Sequence, residues 1–318
     1  MELRQLKYFA AIVEHGNMTR AAESLHVAQP ALSQQLANLE AEVHGRLFER
    51  GQQGMSVTPA GEILYRHARN LLRQIDDMRA AIDQEISRPS GRVVIGIAGS
   101  TARILAAPLL MALKAYPDIL IELVERPSAE LVGLAAQGVL DLAIAVDAQR
   151  MRGISLVPLF YEQLYVVLRR EPGRRRSGDT GAELASIGIA ELAAQPLLLP
   201  SPPSTIRSRI ESALMEAHLP CKLVAEVSAT DLLIRLVAAG VGSTVLPWSA
   251  LAEDVAHQRI RACTLADAPL RRELSLCLPA DVPLSPAALV VRDALLVELR
   301  RLALSSNWRG VEAIDTAA

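Results

Sequence analysis

Ser33, Gln34 and Asn38 lie on one side of a short segment that opens at Pro30, and they offer uncharged hydrogen-bond donors and acceptors. Carboxamides can bond bidentately to the edge of adenine and a hydroxyl can bond to either base pair, so the chemistry on offer is base reading. The other side of the segment is apolar: Leu32, Leu36, Leu39 and Val43 recur at the four-and-three spacing of one buried helical face. The fixed φ of Pro30 and its missing N–H suit a first helical turn. A preceding helix is predicted to start at a Thr19 cap and to carry Ala21, Ala22 and Leu25, with His26 to Gln29 as the turn between the two. Small Ala21 and Ala22 permit close crossing. The alternative is an ordinary αα-hairpin, but such a hairpin would more naturally present Glu/Lys pairs on its outer face. Arg46–Arg50 and Met55–Thr58 flank Gly51-Gln52-Gln53-Gly54, the pattern of a hairpin with a glycine-bearing turn. The predicted unit is a winged helix-turn-helix. Pro30, Ser33, Gln34 and Asn38 are expected in the major groove, Thr19 and Gln29 against phosphates, and Arg50 on the backbone or the adjacent minor groove, with Arg20 also among the DNA-binding residues.

A second set of hydroxyls falls at predicted strand-to-helix turns: Ser100 and Thr101, Ser128, Ser201 with Ser204 and Thr205, and Thr230. Helix N-termini present free N–H groups and favour anions, so the turns that carry this set could face one crevice. Capping alone would account for any one of them. Arg103, Arg207 and Arg209 follow these turns; a cleft-facing Arg would strengthen the case for a carboxylate or sulfate, and otherwise these residues are solvated or bridge subdomains.

Bond-making chemistry finds no residues. The six histidines show no metal spacing, and neither a G-x-S-x-G elbow, a P-loop nor a G-x-G-x-x-G fingerprint is present. Cys221, Cys263 and Cys277 form no CxxC pair and are expected as buried thiols, which argues against a disulfide framework and a zinc knuckle. The expectation is therefore no enzyme, no metal and no cofactor.

These groups must be positioned by several domains, and 318 residues at 51% hydrophobic content can build them. Thr58-Pro59 is predicted to start a helix reaching about Ser87, with Leu64, Ala68, Leu71, Ile75, Met78 and Ile82 forming a seam for pairing with a second copy. Pairing would bring two recognition helices onto a two-fold DNA site. After Gly91 strands alternate with helices: strands at 92–97, 119–125, 140–146, 165–168, 196–199, 223–227 and 273–278, a core strand over 241–247, and helices at 103–116, 129–137, 205–217, 231–239 and 286–302. Arg174 to Gly178 reads as an exposed loop and the tail from Ser305 as frayed.

The net charge of −2 does not advertise a nucleic-acid binder, and residues 1–60 carry five basic against six acidic side chains. A single head should make few phosphate contacts and bind weakly, leaving oligomerisation to supply the rest. No leader pattern or membrane-length apolar run is present, so a cytoplasmic location and no membrane partner are expected.

The run from Leu6 to Arg69, with QPALSQQL and LFER…TPAG, resembles the N-terminal module of LysR-type transcriptional regulators, and the likeness extends along the whole chain. QPALSQQLANLE, ILYRHAR and LLLPSPPSTIRSRIESAL look most like the nitrogen-assimilation-control branch. The resemblance implies an α/β fold class: a winged helix-turn-helix over 1–58, a dimerisation linker helix over 59–88, and a bilobal periplasmic-binding-protein-like effector domain over 91–304. Its two subdomains would be about 91–161 plus 267–304, and 162–266. It also implies an activator or repressor, working as a dimer or tetramer on a double-stranded operator, with RNA polymerase as a further partner and a small, often anionic effector bound at Ser100, Ser128 and the Ser201–Thr205 turn. The branch likeness implies control by abundance without a co-inducer, which would leave the crevice vestigial. The rival readings are a bilobal small-molecule binding protein, or an enzyme on that scaffold, without DNA binding.

Overall fold

Burial of the four-and-three apolar stripes organises the N-terminal unit. In the computed structural model, which describes residues 1–51, 54–84, 89–170, 184–280, 282–305 and 307–314, three helices come first: α1 (Leu3–His15), α2 (Met18–Ser24) and α3 (Gln29–Glu42). A hairpin of β1 (Phe48–Gly51) and β2 (Gly54–Val57) follows, paired Phe48 to Val57 and Arg50 to Met55. The long α4 (Pro59–Gln84) comes next. Leu32 and Leu39 are fully buried with Phe9, Ile12 and Leu47 in the core, and the Phe9 and Phe48 rings meet at 5.4 Å. Val43 departs from the predicted stripe: α3 stops at Glu42, and Val43 is its C-cap, 38% exposed. The cap of α2 is also corrected. Asn17 accepts from the N–H groups of Thr19 and Arg20, so Thr19 is a first-turn donor and not the cap. Thr58 holds the entry to α4, its hydroxyl accepting from Gly61 N–H at 3.0 Å and donating to Arg46 O at 2.8 Å.

The contacts divide the chain into Met1–Gly91 with Gln137–Val139, and Arg92–Ala136 with Leu140–Ala318. The second unit alternates as the sequence predicts. Its first part contains β3 (Gly91–Ile97), α5 (Gly99–Ala112) with a 3-10 turn at Leu113–Ala115, β4 (Ile119–Glu125), α6 (Ser128–Ala136), β5 (Leu142–Val146) and β6 (Ile154–Arg169). Then follow β7 (Ser186–Ile187), α7 (Ile189–Ala194), β8 (Leu197–Pro200), α8 (Thr205–Glu216), β9 (Leu223–Val227), α9 (Thr230–Ala239), β10 (Thr244–Pro247), α10 (Trp248–Ala256) and β11 (Ile260–Leu265). The chain closes with β12 (Arg271–Pro279), α11 (Pro286–Ala303) and β13 (Val311–Ala313).

The strand expected at 165–168 is the end of a 16-residue strand, β6. One half of β6 pairs with β12, the other with β10 and β11, all antiparallel, so one sheet in the order β4-β3-β5-β12-β6-β11-β7 crosses both lobes. A parallel β8–β9 pair stands beside it. The tail is a second correction. Trp308 is 2% exposed and β13 pairs with β6 at Phe160 to Glu162, so this segment is docked and not frayed. Arg174–Gly178 lies outside the described residues. Cys263 and Cys277 are buried as expected, whereas Cys221 is exposed. Among the described residues no helix is long and apolar enough to cross a membrane.

Candidate nucleic-acid interface and effector crevice

The expected recognition face is open. Ala28 caps α3 with Pro30 in its first turn, and burial of Leu32, Leu36 and Leu39 turns Gln34 and Asn38 outward. Thr19, Arg20, Gln29, Pro30, Gln34 and Asn38 are exposed and Ser33 is half-buried. Gln34 Nε2 donates to Asn38 Oδ1 at 3.0 Å. The position of the wing relative to this helix is set by Glu40, whose Oε1 accepts from Leu47 N–H at 2.8 Å. Arg50 lies in β1 opposite Met55; its side chain, with Gln52 and Gln53, lies outside the described part. The seam of α4 splits in two. Leu64 and Ala68 pack into the head, whereas Leu71 and Met78 are 44% and 55% exposed.

In the second unit α5 begins at Gly99, four residues earlier than the sequence suggests, which draws Ser100 and Thr101 into its first turn. Thr101 is fully buried and its hydroxyl finds no partner among the described residues, so it offers nothing to a ligand at the surface. Ser100 is 6% exposed and its Oγ accepts from Arg272 Nη2 at 2.9 Å. A side chain at Gly99 would strike Glu125 Oε1 and come 3.5 Å from Thr230 Oγ1, so the starts of α5 and α9 adjoin with a carboxylate over the first. Ser128 Oγ accepts from Val146 N–H at 2.9 Å, and Ser204 is the N-cap of α8, accepting from Arg207 N–H. Ser201 and Thr205 are half-buried on either side of it.

Arg103 and Arg209 prove to be bridges between segments distant in the chain, whereas Arg207 pairs close by. Arg209 on α8 holds Asp147, beyond β5, with Nε and Nη2 at 3.1 and 2.6 Å. Arg103 on α5 pairs with Asp231 on α9 and with Asp254 on α10, the latter at 2.7 Å. Arg207 pairs with Glu211 and Glu226, and these bonds raise its pKa. A cavity of about 530 Å³ lies where α5, α9 and α10 meet, walled by Arg103, Asp231, Arg235, Glu253, Asp254 and Arg259, and it includes none of the predicted effector residues. The sequence reading missed Arg272, Glu162, Asp147 and Trp308. Of these only Trp308 carried a local signal, as one of two tryptophans and set in a polar tail.

Residues 3–62 match the family described as bacterial regulatory helix-turn-helix protein, lysR family, and residues 87–300 match the LysR substrate binding domain. The chain belongs to the LysR family of DNA-binding transcriptional regulators. This LysR-type regulator is 35% identical to the nitrogen assimilation regulatory protein nac of Klebsiella aerogenes over 96% of this chain and 98% of the relative. It is 36% identical to the protein of the same name from Escherichia coli K12, over 93% and 94%. Its fold is that of a full-length OxyR variant from Pseudomonas aeruginosa, at a TM-score of 0.72 and 24% identity over 98% of both chains. It is also similar to full-length CbnR complexed with its target DNA, at a TM-score of 0.67 and 24% identity over 95% of this chain and 99% of CbnR.

Proposed function

We propose that this LysR-type regulator binds a double-stranded operator as a pair of heads joined along α4, with Pro30, Ser33, Gln34 and Asn38 against base edges and Thr19, Arg20, Gln29 and Arg50 against the backbone. The observation that carries this is the uncharged polar face of α3, exposed while its opposite face is buried. Leu71 and Met78 support pairing, because a helix 26 residues long leaves them in water when alone. Dimers assemble further into tetramers through the α/β domains, in the cytoplasm, with RNA polymerase as the partner of the bound complex.

Its targets belong to nitrogen or amino-acid metabolism, a reading supported by the two nac relatives. The effector crevice is the space at the starts of α5, α6, α8 and α9, reached through Ser100, Ser128, Ser201, Ser204, Thr205 and Thr230. Glu125 over the start of α5 disfavours a bare anion there, so an uncharged or zwitterionic molecule suits the crevice better. The test is footprinting of the full chain on the DNA upstream of its own gene, at several salt concentrations. Protection of two half-sites one helical turn or a multiple apart is expected. Binding with no sequence preference would overturn the assignment of the α3 face.

A further inference from the structure

Glu162 sits where β6 changes partners. Arg272 of β12 and Val311 of β13 are its cross-strand neighbours, and from Leu164 onward β10 and β11 take over. The carboxylate is fully buried, and both oxygens are engaged. Oε2 accepts from Arg272 Nε at 2.8 Å and Nη2 at 2.6 Å. Oε1 accepts from the indole N–H of Trp308 at 2.7 Å and from the backbone N–H of Ser249 at 3.3 Å. Because Arg272 also donates to Ser100, one buried charge ties together β12, the first turn of α5, the first turn of α10 and the tail.

Such a pair contributes little net stability, since desolvation offsets the Coulomb gain. What it enforces is geometry: in a low dielectric every lost partner is costly, so α5 and α10 are tied to one spacing about Glu162. The tail secures this point from both sides. Trp308 packs on Phe160 with ring centroids 5.7 Å apart, and Arg309 lies over the Trp248 ring at 5.2 Å. Gly310, at φ 68°, passes so close to the Tyr165 hydroxyl that a Cβ would collide, and its carbonyl accepts from Gln163 N–H at 2.7 Å. Ile314 N–H then donates to Leu159 O at 3.0 Å.

We propose that Trp308–Ile314 is a strap that holds the two lobes of the α/β domain at one opening by clamping the Glu162–Arg272 pair. Release of the strap frees the first turns of α5 and α10 together, although they are far apart in sequence. Ser100 is where the crevice touches the clamp; that last link rests on the crevice being the effector site, and the strap itself does not.

The experiment is amide hydrogen exchange on the full chain, comparing the wild type with Trp308→Phe, which keeps a ring over Phe160 and removes the N–H to Glu162. Exchange at the starts of α5 and α10 is expected to quicken by about tenfold or more, together with β13, while α1–α3 stay as they were. Faster exchange confined to residues 308–314 would overturn the strap. Should Trp308→Phe fail to fold, Glu312→Pro decides, because position 312 lies between the bonded pairs Gly310/Gln163 and Ile314/Leu159, so its N–H faces β6 and its loss breaks the β13–β6 pairing, while the partners of the buried charge stay in place. The same joint response at α5 and α10 supports the strap, and a loosened tail with both helix starts unchanged refutes it.

Discussion

Gln34 Nε2 donates to Asn38 Oδ1 across one turn of α3, at 3.0 Å. The two carboxamides expected to read bases therefore hold each other in place before DNA arrives, which lowers the ordering cost of binding. Gln34→Ala should lose about 1–3 kcal/mol of discrimination between the operator and single-base variants of it. Arg50→Ala should instead weaken all sequences alike and reduce the salt slope by about one phosphate contact. Binding titrations at several salt concentrations separate the two, and a uniform loss for Gln34→Ala would remove it from base reading.

Asn17, and not Thr19, caps α2. Asn17→Ala should cost the head about 1 kcal/mol, the usual worth of such a cap, whereas Thr19→Ala, on an exposed side chain, should change stability by less than about 0.5 kcal/mol. Urea unfolding of both variants checks the order, and a larger loss at Thr19 would contradict the capping geometry.

Leu71 and Met78 lie on the stretch of α4 beyond the head's core. Replacing both with Glu should split the assembly into single chains by sedimentation and sharply weaken operator binding, because linked heads bind with a raised effective concentration. Retention of the wild-type mass would show that α4 does not join the copies.

Burial lifts the Cys277 thiol from 9.0 to about 12, and burial followed by the neighbouring Glu162 charge lifts the Tyr165 phenol from 10.0 to about 12. Both groups stay protonated in the folded protein at pH values where the unfolded chain has begun to lose those protons. Their contribution to stability is thus complete below pH 9 and lost as pH rises towards about 12. Unfolding midpoints should fall steadily above pH 9, and Tyr165→Phe should flatten the part of that fall beginning near pH 10. An unchanged slope in Tyr165→Phe would mean that Tyr165 does not titrate differently on unfolding.

The helix-turn-helix was legible because its signals are local. Leu32, Leu36 and Leu39 bury one face, Pro30 opens the helix, and Gln34 and Asn38 are exposed as a consequence. The same holds in the second unit for β4, β9 and α8, whose limits fall within a residue of those read from period and punctuation. Ends were harder to read, as at Val43 and Gly99, because a helix end depends on which side chain or carbonyl is free to cap it.

Among the candidate site residues the hydroxyls were found and their partners were not. Ser100 bonds to Arg272, 172 residues away, and Arg103 to Asp254, 151 away; no spacing rule reaches so far. The sequence leaves Arg209 free to face a ligand or to bridge subdomains, and only the fold brings Asp147 to it.

The amino-acid sequence by itself determined the class of each element and the chemistry of the α3 face, since both follow from which side chains can be buried within a few turns of chain. Tertiary structure alone decided that β6 runs unbroken between lobes, that the tail is docked through Trp308, and that a buried Glu162 joins four elements. A buried charge takes whichever donors the crossing chains bring to it, and that choice is made by packing between segments distant in sequence.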